Sequence, residues 1–140
     1  MVKTYTGSCH CGAVRFEADI DLAAGTNRCN CSICAKSRAW FAFAKGPTAF
    51  RLLSDPEALA TYQWTPPGMP SPHLSYRFCR HCGVRAFARG DLPALGGVFH
   101  AVHIPTLDDV SEADRTTSPI RYIDGRAGEF EREPAETRWL

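Results

Sequence analysis

The chain has 140 residues, 44% hydrophobic and 22% charged, which suits one globular domain whose core stands without disulfides. Sixteen Lys and Arg against fifteen Asp and Glu leave a formal charge of +1, which removes the electrostatic case for nucleic-acid or membrane binding. No apolar run nears the roughly 18–20 residues of a membrane span and the first residues lack a signal-peptide core, so the chain reads as soluble and cytoplasmic.

Ten Pro and eleven Gly call for many turns and short elements. In chain order, Val14, Phe16 and Ala18 alternate with Arg15, Glu17 and Asp19, the period of a half-buried strand. Residues 32–38 read as a short helix capped by Ser32, and residues 40–44 as an aromatic-rich strand. Asp55-Pro56 marks a turn or a single helical turn before a strand at 59–64, and the Pro-rich stretch 65–72 is a loop. Residues 74–78 and 84–88 form the arms of a zinc-ribbon-like hairpin, followed by a strand at 97–104. Thr106-Leu107-Asp108-Asp109 has the form of a capping box opening a second short helix. Residues 120–123, closed by an Asp124-Gly125 turn, read as an edge strand or a tail. The expectation is one mostly-β domain over 1–140, with its core at about 4–110 and a C-terminal extension at 111–140.

The seven cysteines fall into three knots: Cys9-His10-Cys11, Cys29-Asn30-Cys31-Ser32-Ile33-Cys34, and Cys79-Arg80-His81-Cys82. Disulfides suit an odd count of closely spaced thiols poorly. Redox chemistry at Cys79 and Cys82 lacks a βαβ setting and leaves five thiols unexplained. Metal accounts for all seven. A Cys-x-x-Cys turn sets two thiolates about 3.5–4 Å apart, suited to tetrahedral Zn²⁺, and residues two apart on an extended segment share one face. Cys29, Cys31 and Cys34 reach one ion by themselves, which leaves Cys9 and Cys11 to pair with Cys79 and Cys82 across a long loop. Two zinc ions per chain follow: a closed structural site at Cys9, Cys11, Cys79 and Cys82, and an open, catalytic one at Cys29, Cys31 and Cys34. In the alternative, an aspartate or one of His10, His81, His100 and His103 completes the second site and makes it structural. Seven thiolates and two divalent ions bring the formal charge to about −2, again unlike a nucleic-acid surface.

The segments Gly7-Ser8-Cys9-His10-Cys11-Gly12, Cys29-Asn30-Cys31-Ser32-Ile33-Cys34 and Phe78-Cys79-Arg80-His81-Cys82-Gly83 resemble the three cysteine motifs of the glutathione-dependent formaldehyde-activating enzyme family, a domain also known from centromere protein V. The resemblance runs from about Thr4 to about Val110 with the motifs in order. It implies a β-tent fold, two zinc ions and the same division of cysteines. It also implies S-(hydroxymethyl)glutathione synthase activity, a carbon–sulfur lyase whose partners are a small thiol such as glutathione and an aldehyde. Zinc held by three thiolates is a weak Lewis acid that binds sulfur well, so thiol chemistry suits it better than hydrolysis.

For a thiol bearing carboxylates, the basic residues nearest the knots are Lys36, Arg38 and Arg77, each equally at home as a solvated charge. Trp40, Phe41, Phe43 and Trp64 either wall a pocket or fill the core. His100 and His103, three apart on a strand, face opposite sides. Two other functions compete: a zinc module that binds a macromolecule without catalysis, and a thiol sensor that releases zinc on oxidation.

Overall fold

The computed structural model describes residues 1–72 and 74–140. Among these, ten strands and two short α-helices make up two sheets. Strands β1 (Lys3–Ser8), β2 (Arg15–Ile20) and β5 (Phe50–Leu52) form a small antiparallel sheet in the order β1-β2-β5. The larger sheet contains β3 (Thr26–Cys29), β4 (Trp40–Lys45), β6 (Leu59–Gln63), β7 (Leu74–Cys79), β8 (Arg85–Leu92), β9 (Gly97–His103) and β10 (Ile120–Ile123). Its order is β10-β3-β4-β9-β8-β7-β6, antiparallel throughout except where β10 runs parallel to β3. The chain is thus mostly β, and β10 is an edge strand rather than a tail. Among the described residues no helix is long and apolar enough to cross a membrane.

Side-chain alternation gives the large sheet two different faces. In β4, Ala42 and Ala44 point to one side and Phe41 and Phe43 to the other. The small alanines lie on the side where β2 and β5 pack close. There Phe16 is fully buried, its ring stacked 5.2 Å from Phe50 and set edge-on to Phe87 at 6.1 Å. Burying such a ring stabilises the fold by about 2–3 kcal/mol, and the packing ties the two sheets into one core. The opposite face carries a second apolar cluster of Cys29, Phe41, Tyr76, Ala88, Ala101 and Ile123.

Two sequence expectations are corrected. Helix α1 spans Ser32–Ser37 and is capped by Cys31, whose extended ψ of 160° precedes the first helical residue, so Ser32 lies inside the helix. The capping box at 106–109 opens no helix. Thr106 ends a 3-10 turn and donates its hydroxyl to the His103 carbonyl at 2.7 Å, while Asp109 accepts the Thr6 N–H at 3.0 Å. The second helix, α2, is Glu112–Thr117, started by Ser111, whose Oγ accepts the Asp114 N–H at 3.0 Å. Asp109 is drawn away by a strand amide that no local pattern announces.

Candidate metal centre

The two β-hairpins that carry the first cysteine group turn in the same way. The Cys9 N–H bonds the Val14 carbonyl at 3.0 Å and the Cys79 N–H bonds the Val84 carbonyl at 2.9 Å, so each knuckle closes over five residues. Gly12 (φ 79°) and Gly83 (φ 75°) supply the left-handed residue that each turn needs. Amides inside the turns point at sulfur: Val14 N–H to Cys9 Sγ at 3.3 Å and His81 N–H to Cys79 Sγ at 3.4 Å. One knuckle belongs to the small sheet and the other to the large sheet. They meet with Cys9 and Cys11 Sγ 3.7 Å apart and Cys11 and Cys79 Sγ 3.6 Å apart, and all four sulfurs, Cys82 included, lie within 4.8 Å of one another. Hydrogen bonds from the Cys11 and Val84 amides draw the Cys82 thiol down to about 6. Those from Cys82 and His81 lower Cys79 as well. Amides aimed at sulfur favour thiolates, the form in which a metal is held.

The second group lies on the other face of the large sheet. Cys29 ends β3, Cys31 caps α1, and Cys34 comes from the first turn of that helix. Their three sulfurs lie within 4.8 Å of one another, and among the described residues no fourth His, Cys, Asp or Glu donor joins the group. Hydrogen bonds from the Cys29 and Cys34 sulfurs pull Cys31 down to about 2, while Cys29, Cys31 and burial push Cys34 up. Three sulfurs at this spacing cannot all carry negative charge unless a cation sits among them. Both donor sets are all-sulfur, which suits Zn²⁺ and not an oxygen-loving ion, so the residues fit the metal that the cysteine spacing implies.

Two neighbours of the second group, Tyr76 and Arg85, were not legible in the sequence. Tyr76 belongs to the same apolar cluster, and burial, reinforced by negative charge on Cys34 and Cys31, raises its phenol. Arg85 lies over the Tyr76 ring at 4.2 Å and donates from Nη1 to Ser37 Oγ at 2.7 Å, while its buried Nε has no partner among the described residues. A β-bulge brings Arg85 there. The register runs Arg77 to Phe87 but then Phe78 to Arg85, so Ala86 is the extra residue and Arg85 is turned to the Tyr76 side. Strict alternation would have put it with Phe87, facing the small sheet.

Beside α1, an open groove of about 430 Å³ is lined by Ser32, Ile33, Lys36, Ser37, Tyr62 and Trp64. Lys36 and Trp64, expected near the site, are therefore adjacent to it. Arg38 is the exposed, left-handed residue that ends α1, and Arg77 is paired with Phe87 on the opposite face, so neither joins the groove. Phe41 and Phe43 lie on the face of the second group, whereas Trp40 packs into the inter-sheet core and donates Nε1 to Thr26 Oγ1 at 2.8 Å. His100 and His103 do face opposite ways: His100 stacks on Phe50 at 4.3 Å, and His103 pairs with Phe41. Neither they nor His10 and His81 belong to a ligand group among the described residues.

The family model described as glutathione-dependent formaldehyde-activating enzyme matches residues 4–122. A Halomonas elongata protein that carries this name as a provisional assignment is 37% identical over 79 residues, 54% of this chain and 50% of the relative. The match thus spans about half the length of that curated relative. With residues 4–122 covered, a stretch that includes all seven cysteines, the chain belongs to the glutathione-dependent formaldehyde-activating enzyme family.

Proposed function

We propose that the chain catalyses the reversible addition of a small thiol to an aldehyde, as a carbon–sulfur lyase of the S-(hydroxymethyl)glutathione synthase kind. In this reading Cys29, Cys31 and Cys34 hold a catalytic zinc, and Cys9, Cys11, Cys79 and Cys82 hold a structural one. Residues 1–140 then form one domain of β-tent type. The observation that carries the reading is the unequal division of sulfur: a group of four where two sheets meet, and a group of three with no fourth donor among the described residues.

Zinc bound at the three-sulfur group would supply a soft Lewis-acid position at which a thiol is stable as thiolate. In the forward reaction the substrate sulfur bonds to the aldehyde carbon and the thiol proton ends on the aldehyde oxygen; the reverse breaks that carbon–sulfur bond and returns the proton. The chain's own contribution is electrostatic. Tyr76 stays a neutral phenol because its ionisation is suppressed by burial and by the sulfurs. Burial lowers the pKa of Arg85 beside it, but from a guanidinium value so far above neutral that the charge is kept. This face therefore offers a hydrogen-bond donor and a fixed positive charge to an oxygen that gains negative charge as the carbon–sulfur bond forms. Lys36, on the rim of the groove beside α1, is suited to a carboxylate of the thiol, and Tyr62 and Trp64 to its apolar atoms. Zinc held by three thiolates would give the site a net charge of about −1, which Arg85 would offset.

The test is a zinc count on the purified, reconstituted protein, together with rates of adduct formation from formaldehyde and a panel of thiols that includes glutathione. Two zinc ions per chain and a rate above the uncatalysed background are expected. A single zinc, or no acceleration with any thiol, sinks the reading.

A further inference from the structure

We infer that the turn at residues 124–126 is a positioning device for the second cysteine group: Gly125 and the Asn30–Asp124 hydrogen bond hold Cys29 and Cys31 where three sulfurs can share one ion. The inference rests on the reading that this group binds metal. The turn lies beyond residue 122, where the family match ends.

Space, not backbone freedom, demands glycine at 125. Its φ is outside the left-handed region, but a Cβ there would lie 2.5 Å from Cys29 Sγ and 3.2 Å from Cys31 Cβ. Non-bonded heavy atoms rest about 3.5–4 Å apart, so any side chain would displace the Cys29 sulfur by about 1 Å. Metal sites tolerate errors of only about 0.2 Å in a ligand distance. One methyl group at 125 is therefore several times too large a disturbance.

Asn30 stands between the two ligands and is 7% exposed. Its side chain is spent on the turn and not on the sulfurs: Nδ2 donates to Asp124 Oδ1 at 2.8 Å, and Oδ1 accepts the Arg126 N–H at 2.8 Å. The Asn30 N–H also donates to the Ile123 carbonyl at 3.2 Å. Asp124 is in turn anchored from behind, its backbone N–H donating to the Arg132 carbonyl at 2.9 Å and its carboxylate pairing with the Arg132 guanidinium at 3.4 Å. The peptide joining Cys29 to Cys31 is thus clamped at three points by a segment about 95 residues away, in the manner of the outer partners that orient metal ligands.

The experiment is a Co²⁺ titration of the full-length metal-free protein, read by the thiolate-to-cobalt absorption that distinguishes the first equivalent from the second. Gly125→Ala and Asp124→Ala are expected to weaken the second equivalent about 10–100-fold and shift its absorption, with the first unchanged. Asp124→Asn keeps an acceptor oxygen and restores most of the affinity. Arg126→Ala keeps its N–H and behaves as the wild type. Should Gly125→Ala lose both equivalents, the contrast between Asp124→Ala and Asp124→Asn decides. If the wild type takes two equivalents and the second binds equally well in Gly125→Ala and Asp124→Ala, the turn has no positioning role. A wild type that takes one equivalent overturns the two-ion reading beneath it.

Discussion

His103 lies on the face of the large sheet that carries the second cysteine group, and burial, helped by the charge of Arg85, holds its pKa down to about 3. His100, on the inner face, is held down to about 4 by burial and then by Arg89. Both are neutral in the fold at pH 7. As pH falls below the ordinary histidine value of about 6.5, the unfolded chain takes up protons that the folded one refuses, so stability drops by about 1.4 kcal/mol per pH unit for each histidine. The loss continues until pH reaches the folded values near 4 and 3. Urea midpoints at pH 7 and pH 5 are expected to fall less for His103→Asn than for the wild type. Thiolate protonation acts on both proteins alike and cancels in the comparison. Equal falls would show that His103 is not held neutral. The alternation of β9 already told from sequence that the two histidines face opposite ways, but not which face holds the sulfur.

At the scale of elements, the cysteine knuckles were legible because their chemistry is local: two or three sulfurs lie within six residues, and at Cys9–Cys11 and Cys79–Cys82 a left-handed glycine follows at once. Strands β1, β3 and β5 were not anticipated. They are short and of mixed composition, and each is held in its sheet by ladders to neighbours rather than by its own pattern. The bulge at Ala86 was equally invisible, and with it the placing of Arg85. The two knuckle types lead to different mutant behaviour. Cys79→Ser removes a sulfur that joins two hairpins 68 residues apart and is expected to lower the thermal midpoint sharply or to cause aggregation. Cys34→Ser changes a helix on the outer face and is expected to leave the fold intact while abolishing the second metal and the activity. Equal collapse in both variants would overturn the division into structural and catalytic sites.

At the scale of the molecule, the four-sulfur group sits where the small sheet meets the large one, at the end of the Phe16–Phe50–Phe87 core. A graded chelator is therefore expected to act in two phases. The ion at Cys29, Cys31 and Cys34 leaves first with little change in far-ultraviolet circular dichroism, and the ion at Cys9, Cys11, Cys79 and Cys82 leaves later with loss of tertiary signal. A single phase in which signal and both metals vanish together would show that the outer-face group also supports the fold.

The amino-acid sequence by itself determined which cysteines come together and how they divide into a group of four and a group of three, because sulfur donors at short spacings need little beyond the peptide geometry that joins them. The tertiary structure alone decided that Tyr76, Arg85 and the turn at 124–126 lie beside the group of three. A bulge had to turn Arg85 toward Tyr76, and a parallel edge strand had to bring Asp124 and Gly125 back against Asn30 and Cys29. Those contacts depend on sheet register and chain return, which act over separations that no local pattern encodes.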